Sequence, residues 1–350
     1  MLAAKTIPML LQRGHQFALI TSHDDHALPD EDSYEGIPVY RFRFLEALAT
    51  HNVGLLVQVR RKVAELKRAF KADLIHVHLT DPNVFFHLQT ARVSPAPLLI
   101  SLHVSLPKQR FGSGSLLKEA FSAAAWITAN SNALLVEART LVPEISPLSS
   151  VIYNGLEFPN VEVEPLSLER PRLVCAGRLV PDKGFDLALE AMVSLIKRFP
   201  KLQMSIVGDG PARAQLERQA RDLGLDQAVT FVGWVDPGQI PRFMQSATLV
   251  IMPSRWDEAF GLVALEAALM ARPVVATRVG GLPEVVVDGE TGVLVPRDNS
   301  RAIAEAVAFL LTRPEQAMAM GHAGQARAQQ LFSLPRYVDA FDALYRKLIH

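Results

Sequence analysis

The sequence predicts an α/β fold in two sheet-bearing domains, and three observations carry that reading. Short β-branched runs alternate with longer amphipathic stretches almost from end to end, the pattern of βα units that build parallel sheets. A stretch rich in proline and without helical period interrupts the pattern near the middle. The 350 residues, at about 150 per domain, suffice for two independent cores.

Taken in order, the chain opens inside a helix, Met1-Leu2-Ala3-Ala4-Lys5 running through Leu11 to Gly14, with no strand ahead of it. Strands are expected at Phe17–Thr21, Leu74–His78, Pro97–Ser101 and Trp126–Ala129, with helices between them. One of these helices is basic and amphipathic: Leu55, Leu56, Val59, Val63, Leu66 and Phe70 form its apolar face, flanked by Arg60, Arg61, Lys62, Lys67, Arg68 and Lys71. Such a helix suits packing on its own sheet, and it also suits resting on anionic lipid. Phe158 to Pro171 holds three prolines and reads as a linker. Beyond it, strands are expected at Arg172–Ala176, Gln203–Val207, Thr230–Val232, Leu249–Met252 and Pro273–Ala276, each followed by a turn and a helix. Tyr337–Leu348 reads as a last amphipathic helix. The expected organisation is an N-terminal Rossmann-like domain over 1–158, a linker over 159–171, a second Rossmann-like domain over 172–334 and a C-terminal helix over 335–350 that returns to the first domain. Two such domains facing each other would enclose a cleft at the C-terminal ends of their strands, where open α/β sheets bind ligands.

Composition narrows the function classes. Lys and Arg number 36 and so do Asp and Glu, which removes the usual electrostatic warrant for a nucleic-acid partner. The single cysteine, Cys175, can form neither an internal bridge nor a cysteine-based zinc site, in keeping with a cytoplasmic, reducing compartment. The longest apolar stretches fall far short of the ~18 residues a membrane span needs, and no signal-peptide pattern is visible.

The most informative segment is Glu258-Ala259-Phe260-Gly261-Leu262-Val263-Ala264-Leu265-Glu266. A helix starting near Gly261 would offer the backbone N–H groups of Gly261, Leu262 and Val263 to an anion such as a phosphate. Glu266 lies about 7.5 Å further along that helix, within reach of a ribose if a diphosphate sits at the helix start. Carboxylates repel phosphate, so Glu258 and Glu266 should accept hydrogen bonds from hydroxyls. The same residues also suit a capped core helix with solvated glutamates.

A second constellation, Gly177-Arg178-Leu179-Val180-Pro181-Asp182-Lys183-Gly184, follows a buried strand. Two cations on a strand-to-helix loop suit a leaving diphosphate, although a surface turn with solvated charges gives the same pattern. It is not a P-loop, because Gly184 follows Lys183 where Ser or Thr is required. Val207-Gly208-Asp209-Gly210-Pro211 lacks the third glycine of the dinucleotide fingerprint, with Arg213 in its place. Gly208 is left as a turn beside a ligand or a purely structural one. Phe231-Val232-Gly233-Trp234-Val235 could offer backbone groups to a base, or simply end a strand. In the first half, His76 and His78 share a strand and have no third metal ligand nearby in sequence. His103 ends a strand ahead of the loop Phe111-Gly112-Ser113-Gly114-Ser115, a position that suits a cleft residue. Asp30-Glu31-Asp32 reads as a solvated polar loop.

Together these segments resemble glycosyltransferase family 4, the retaining, metal-independent, nucleotide-sugar-dependent enzymes of the GT-B fold. The most specific marks are Glu258 and Glu266 around Phe260-Gly261-Leu262-Val263, and Gly177-Arg178 with Lys183-Gly184. Supporting marks are Val207 to Pro211, Val151-Ile152-Tyr153-Asn154-Gly155 and Gly280-Gly281-Leu282-Pro283-Glu284. The resemblance implies that Arg178 and Lys183 neutralise the donor diphosphate, Glu258 binds hydroxyls of the transferred sugar and Glu266 holds the ribose. Phe260, Gly261, Leu262 and Val263 would complete the pocket, with Gly208 beside the ligand, Val235 at the base and His103 beside the donor sugar. It further implies transfer of a hexose from a UDP- or GDP-sugar to a glycan or lipid-linked acceptor. No cofactor or metal is expected, and the location is cytoplasmic or peripheral at the inner membrane face. Family members usually carry a first strand and a glycine-rich loop ahead of the helix at Met1, and this sequence shows neither. Two other functions fit: a different GT-B sugar-nucleotide enzyme, such as an epimerase or phosphorylase, or an inactive relative acting as a binding subunit.

Overall fold

The structure is a computed structural model that describes residues 2–23, 28–50, 52–78, 81–106, 115–158 and 162–350. The chain divides into two compact units, Met1–Ile152 with Pro335–His350, and Tyr153–Leu334.

The first unit runs α1 (Leu2–Leu11), β1 (Leu19–Ser22), β2 (Glu31–Tyr34), β3 (Ile37–Phe42), α2 (Phe44–Ala49), α3 (Val53–Phe70), β4 (Ile75–His78), α4 (Asp81–Gln89), β5 (Leu98–Leu102), α5 (Leu116–Ala123), β6 (Trp126–Ala129), α6 (Asn132–Leu141) and β7 (Ser149–Val151). Its strands form two separate sheets, a four-stranded parallel one in the order β4-β5-β6-β7 and a three-stranded one in the order β1-β3-β2. β1 lies parallel to β3, whereas β2 and β3 are an antiparallel hairpin. The hairpin was not legible as strand: all four residues of β2 are exposed, so no alternation marks it. What closes it is the turn at Glu35 and Gly36, both at positive φ (51° and 81°), as the tight hairpin turns require. Asp30-Glu31-Asp32 therefore leads into a strand and is not a loop, although it stays exposed, with Asp32 accepting from Arg41 at 3.0 Å. α3 is capped by Asn52, whose side chain accepts from the Leu55 amide at 3.0 Å, and packs Val59 and Val63 against Phe42, Phe44 and Phe86.

The second unit runs β8 (Arg172–Ala176), α7 (Phe185–Arg198), β9 (Gln203–Val207), α8 (Arg213–Asp222), β10 (Val229–Gly233), α9 (Ile240–Ser246), β11 (Leu249–Met252), α10 (Leu262–Leu269), β12 (Val274–Thr277), α11 (Leu282–Val285), β13 (Gly292–Val295), α12 (Ser300–Leu311) and α13 (Pro314–Leu331). The last helix, α14 (Leu334–Ile349), carries the chain back into the first unit. Six parallel strands in the order β10-β9-β8-β11-β12-β13 make one sheet. Numbered within the unit this is 3-2-1-4-5-6, the doubly wound Rossmann order. Alternate residues of each strand feed opposite cores: Leu173, Cys175, Met204, Ile206, Leu249 and Ile251 on one face, Val174, Val207, Val250, Met252, Val274 and Ala276 on the other. Burial on both faces explains why these strands read as unbroken apolar runs.

Residues 162–171, expected as part of a linker, are strapped onto the second unit. Gln245 donates to the Glu162 carbonyl (2.9 Å), the buried Arg272 to that of Glu164 (2.5 Å) and Thr248 to that of Ser167 (2.7 Å). Proline removes helical period without removing such side-chain anchors, so composition alone did not reveal the strap. Residues 159–161 and the loop at 111–114 lie outside the described residues.

Candidate functional site in the second unit

The sheet order reverses between β8 and β11, and in open α/β sheets that switch point is where ligands sit, beyond the C-terminal strand ends. Two loops leave it side by side. The loop after β8 carries Arg178 and Lys183, and the loop after β11 carries Ser254 and Glu258. The structure brings two of the predicted residues into direct contact, with Lys183 Nζ donating to Glu258 Oε1 at 2.6 Å. Ser254 Oγ donates to the same carboxylate oxygen at 2.5 Å. The sequence resemblance gives Lys183 to the donor diphosphate and Glu258 to the transferred sugar; in the structure the two side chains form a local ion pair. Arg178 is exposed, and its side chain bonds to no described residue.

Backbone chemistry holds this arrangement. Gly184 has φ +65°, and a Cβ there would lie 2.0 Å from the Pro253 carbonyl oxygen, so only glycine lets the two loops approach so closely. Gly261 caps α10 at φ +104°, where a Cβ would lie 2.5 Å from Leu282 Cδ2. The Gly261, Leu262 and Val263 amides donate to no described residue, as expected at a helix start. The Glu258 carbonyl accepts from the Gly281 amide at 2.7 Å, which ties the Gly280-Gly281 turn to the same loop.

The sequence reading missed Arg255. Its guanidinium grips Asp186 through two bonds of 2.6 and 2.7 Å and donates to Asp298 at 2.6 Å, while its amide donates to the Asp182 carbonyl at 2.8 Å. These carboxylates hold the Arg255 proton still more firmly than an ordinary guanidinium does. Arg255 thus fastens the β11 loop to the β8 loop and to the start of α7. Its partners stand 69 and 43 residues away in sequence, so spacing carried no signal for it.

The remaining predicted residues frame the same strand ends. Phe260 is buried and stacks edge-on with Phe332 at 5.4 Å, serving the core under the helix start. Leu262 is exposed and Val263 half-buried at the mouth. Glu266 hydrogen-bonds to no described residue, and burial pushes its carboxyl up to about 7. It is therefore partly protonated near neutral pH, able both to donate to and to accept from a hydroxyl. Gly208 directly follows β9, its amide donating to the Gly233 carbonyl at 2.8 Å, and Val235 lies just beyond β10 beside the exposed Trp234. Cys175 is buried, its thiol pushed up to about 12, and takes no part.

His103 belongs to the first unit. Its Nε2 is 2.8 Å from His78 Nδ1, and the His78 ring lies tilted against that of His76 with centroids 4.3 Å apart. Both nitrogens of His76 are engaged, with Tyr345 of α14 and with Ser101, which continues to Thr128, each link 2.7 Å long. Burial and the neighbouring His78 push His103 down to about 4, so it is neutral at pH 7. Among the described residues no cluster of three or more His, Cys, Asp or Glu is arranged to hold a metal.

Comparison with known proteins decides the family. The model for glycosyltransferase family 4 matches residues 3–158 and that for glycosyl transferases group 1 matches residues 159–327. The chain belongs to the GT-B glycosyltransferases of the family 4 type. Within the family it is similar to a GDP-mannose-dependent α-(1-6)-phosphatidylinositol monomannoside mannosyltransferase of Mycolicibacterium smegmatis, 41% identical over 163 residues, covering 45% of this chain and 43% of that one. A glycogen synthase of Mycobacterium tuberculosis is 28% identical over 316 residues, covering 85% and 74%. The crystal structure of Anabaena HepE in complex with UDP and glucose superposes with a TM-score of 0.73 at 25% identity, covering 89% and 87%. The chain thus spans less than half the length of the mannosyltransferase it matches.

Proposed function

We propose that the chain transfers a hexose from a UDP- or GDP-sugar to a glycan or lipid-linked acceptor, with retention at the anomeric carbon and without a metal. The observation that carries this reading is the Lys183–Glu258 pair at the switch point, beside the unbonded amides at the start of α10. A diphosphate placed there would meet Lys183, Arg178 and those amides, all electropositive and fixed before the substrate arrives. As Lys183 turned to the phosphate, Glu258 would be freed to accept from sugar hydroxyls while keeping Ser254 as its support. Glu266, poised near neutrality, suits the ribose hydroxyls, and the backbone near Val235 suits the base. His103, held neutral, can accept a hydrogen bond from a sugar hydroxyl without adding charge. With the departing phosphate deprotonating the acceptor, no enzymic nucleophile is required. One of the relatives is GDP-mannose-dependent and another was crystallised with UDP and glucose, which supports the same reading.

Among the described residues no helix is long and apolar enough to cross a membrane. Contact with an anionic lipid surface through α3, whose Val53 and Val57 are exposed near Arg60 and Arg61, is part of the proposal. The test is turnover of UDP-, GDP- and ADP-sugars with chelator present, with and without acceptor. Acceptor-dependent release of UDP or GDP supports transfer. Donor consumed equally without acceptor, or no binding of any sugar nucleotide, overturns it.

A further inference from the structure

Three histidines of the first unit meet near the C-terminal ends of β4 and β5. His76 and His78 alternate along β4, which pairs with β5 so that His78 stands opposite Ser101, and His103 directly follows β5. His76 anchors the group: Tyr345 and Ser101 engage its two nitrogens at 2.7 Å each, and the Phe341 ring lies against it with centroids 5.3 Å apart. The His78 ring packs against both others, its centroid 4.3 Å from that of His76 and 5.0 Å from that of His103. Between His78 Nδ1 and His103 Nε2 runs a hydrogen bond of 2.8 Å, with the ring planes 23° apart. The centroid separation is near the greatest that a contact of this length allows. The two rings therefore meet edge to edge, with the bond close to both ring planes, where ring nitrogens direct their N–H and their lone pair. Burial lowers both imidazoles, so each is neutral at pH 7 and carries one ring proton. His78 Nε2 and His103 Nδ1 bond to no described residue.

One proton lies between the two rings, and whichever ring owns it decides what the outer nitrogens can do. If His103 donates, both rings take the Nε2–H form, the tautomer that a free neutral histidine favours. If His78 donates, both are forced into the less favoured Nδ1–H form. We infer that His78 is a positioning residue for His103: it accepts at Nδ1 from His103 Nε2–H and so leaves His103 Nδ1 as a bare lone pair for a hydroxyl. The inference rests on the proposed place of His103 beside the donor sugar, and it says which partner that nitrogen takes, a hydroxyl that donates and not a group that can only accept. The ring of His76 keeps His78 in place, because both nitrogens of His76 are engaged and its partner Ser101 continues to Thr128 at 2.7 Å. Turning the His78 ring over would put a carbon where Nδ1 stands and lose the bond to His103.

The test reads ring nitrogens first and turnover second. The full chain is isotope-labelled at its histidine nitrogens, and their NMR shifts are recorded at pH 7 without substrate, with His103→Asn supplying the assignment. His103 is expected to show a protonated Nε2 and a bare Nδ1 in the wild type and in His78→Asn, whose Oδ1 can accept in place of Nδ1. In His78→Leu it should show an average of both tautomers. A protonated Nδ1 in the wild type, or the same single tautomer in His78→Leu, overturns the inference whatever the activity. In sugar-nucleotide turnover His78→Leu should lower kcat/KM by roughly tenfold, the upper end of what one neutral hydrogen bond contributes, and His78→Asn should recover most of it. Equal kcat/KM in the wild type and His78→Leu overturns the positioning role. A wild-type chain with the expected tautomer that transfers no sugar overturns the transfer reading instead, and the tautomer assignment stands.

Discussion

The two units meet the same demand, a parallel sheet buried between helices, and meet it differently. In the second unit six strands form one uninterrupted sheet whose every strand feeds a core on each face. In the first, the seven strands among the described residues are shared between two sheets, and residues of β1 and β4 line a common cavity. The continuous sheet fixes its strand ends relative to one another, so loops 75 residues apart in sequence meet at hydrogen-bond distance. The divided sheet instead relies on α14 for cross-ties, through Tyr345 to His76, Asp342 to His15, and Arg13 to Asp339. Site geometry is therefore built most firmly where the sheet is whole.

Four measurements can break or sharpen this contrast. The largest effect is expected from Lys183→Ala, which removes a fixed cation from the switch point and should lower turnover by about 10²- to 10³-fold, with a smaller loss of donor affinity; equal losses in both would deny Lys183 its place in the transition state. Next, Gly184→Val forces a side chain into the Pro253 carbonyl and should cost about 2–4 kcal/mol in denaturant unfolding of the second unit, whereas Gly14→Ala, with open space around it, should cost less than half of that. Third, Arg255→Lys keeps the charge but loses the two-pronged grip on Asp186, and is expected to lower turnover by roughly tenfold with little change in melting temperature.

The smallest effect is a difference in pH response between the units. His87 and His103 are held down to about 4 by burial, Lys67 adding to the first and His78 to the second. Unfolding lets them bind protons near pH 6.5, so the stability they confer is full above that value and is lost as pH falls towards 4. Glu266 has the opposite sign: its folded value of about 7 exceeds the unfolded 4.5, so its contribution weakens as pH rises from 4.5 to 7. Thermal melts from pH 4 to 8 should show the first unit weakening on acidification. Glu266→Gln should stabilise the second unit at pH 8 and not at pH 4. A single transition with one pH profile for the whole chain would deny the units their separate behaviour.

Much of the second unit was legible beforehand. β8, β9 and β11 occupy the residues their apolar runs predicted, because strands buried on both faces need no partner to announce themselves. β13 was missed, being a short Gly-Val-Leu-Val run behind a turn, and so was β7, only three residues long. The glycines of the site were visible as motif, but not the reason for them, which for Gly184 is the approach of Pro253. Arg255 was invisible because its ion partners come from β8–α7 and from beyond β13.

By itself the sequence determined the α/β class, the family likeness and the motifs that carry Arg178, Lys183 and Glu258. Those follow from local period and from motif, properties of neighbours in the chain. The tertiary structure decided that Lys183 and Glu258 pair with each other and that 162–171 is strapped to the second unit. Each is a contact between segments remote in sequence, fixed by strand order and by the loop approaches that strand order permits.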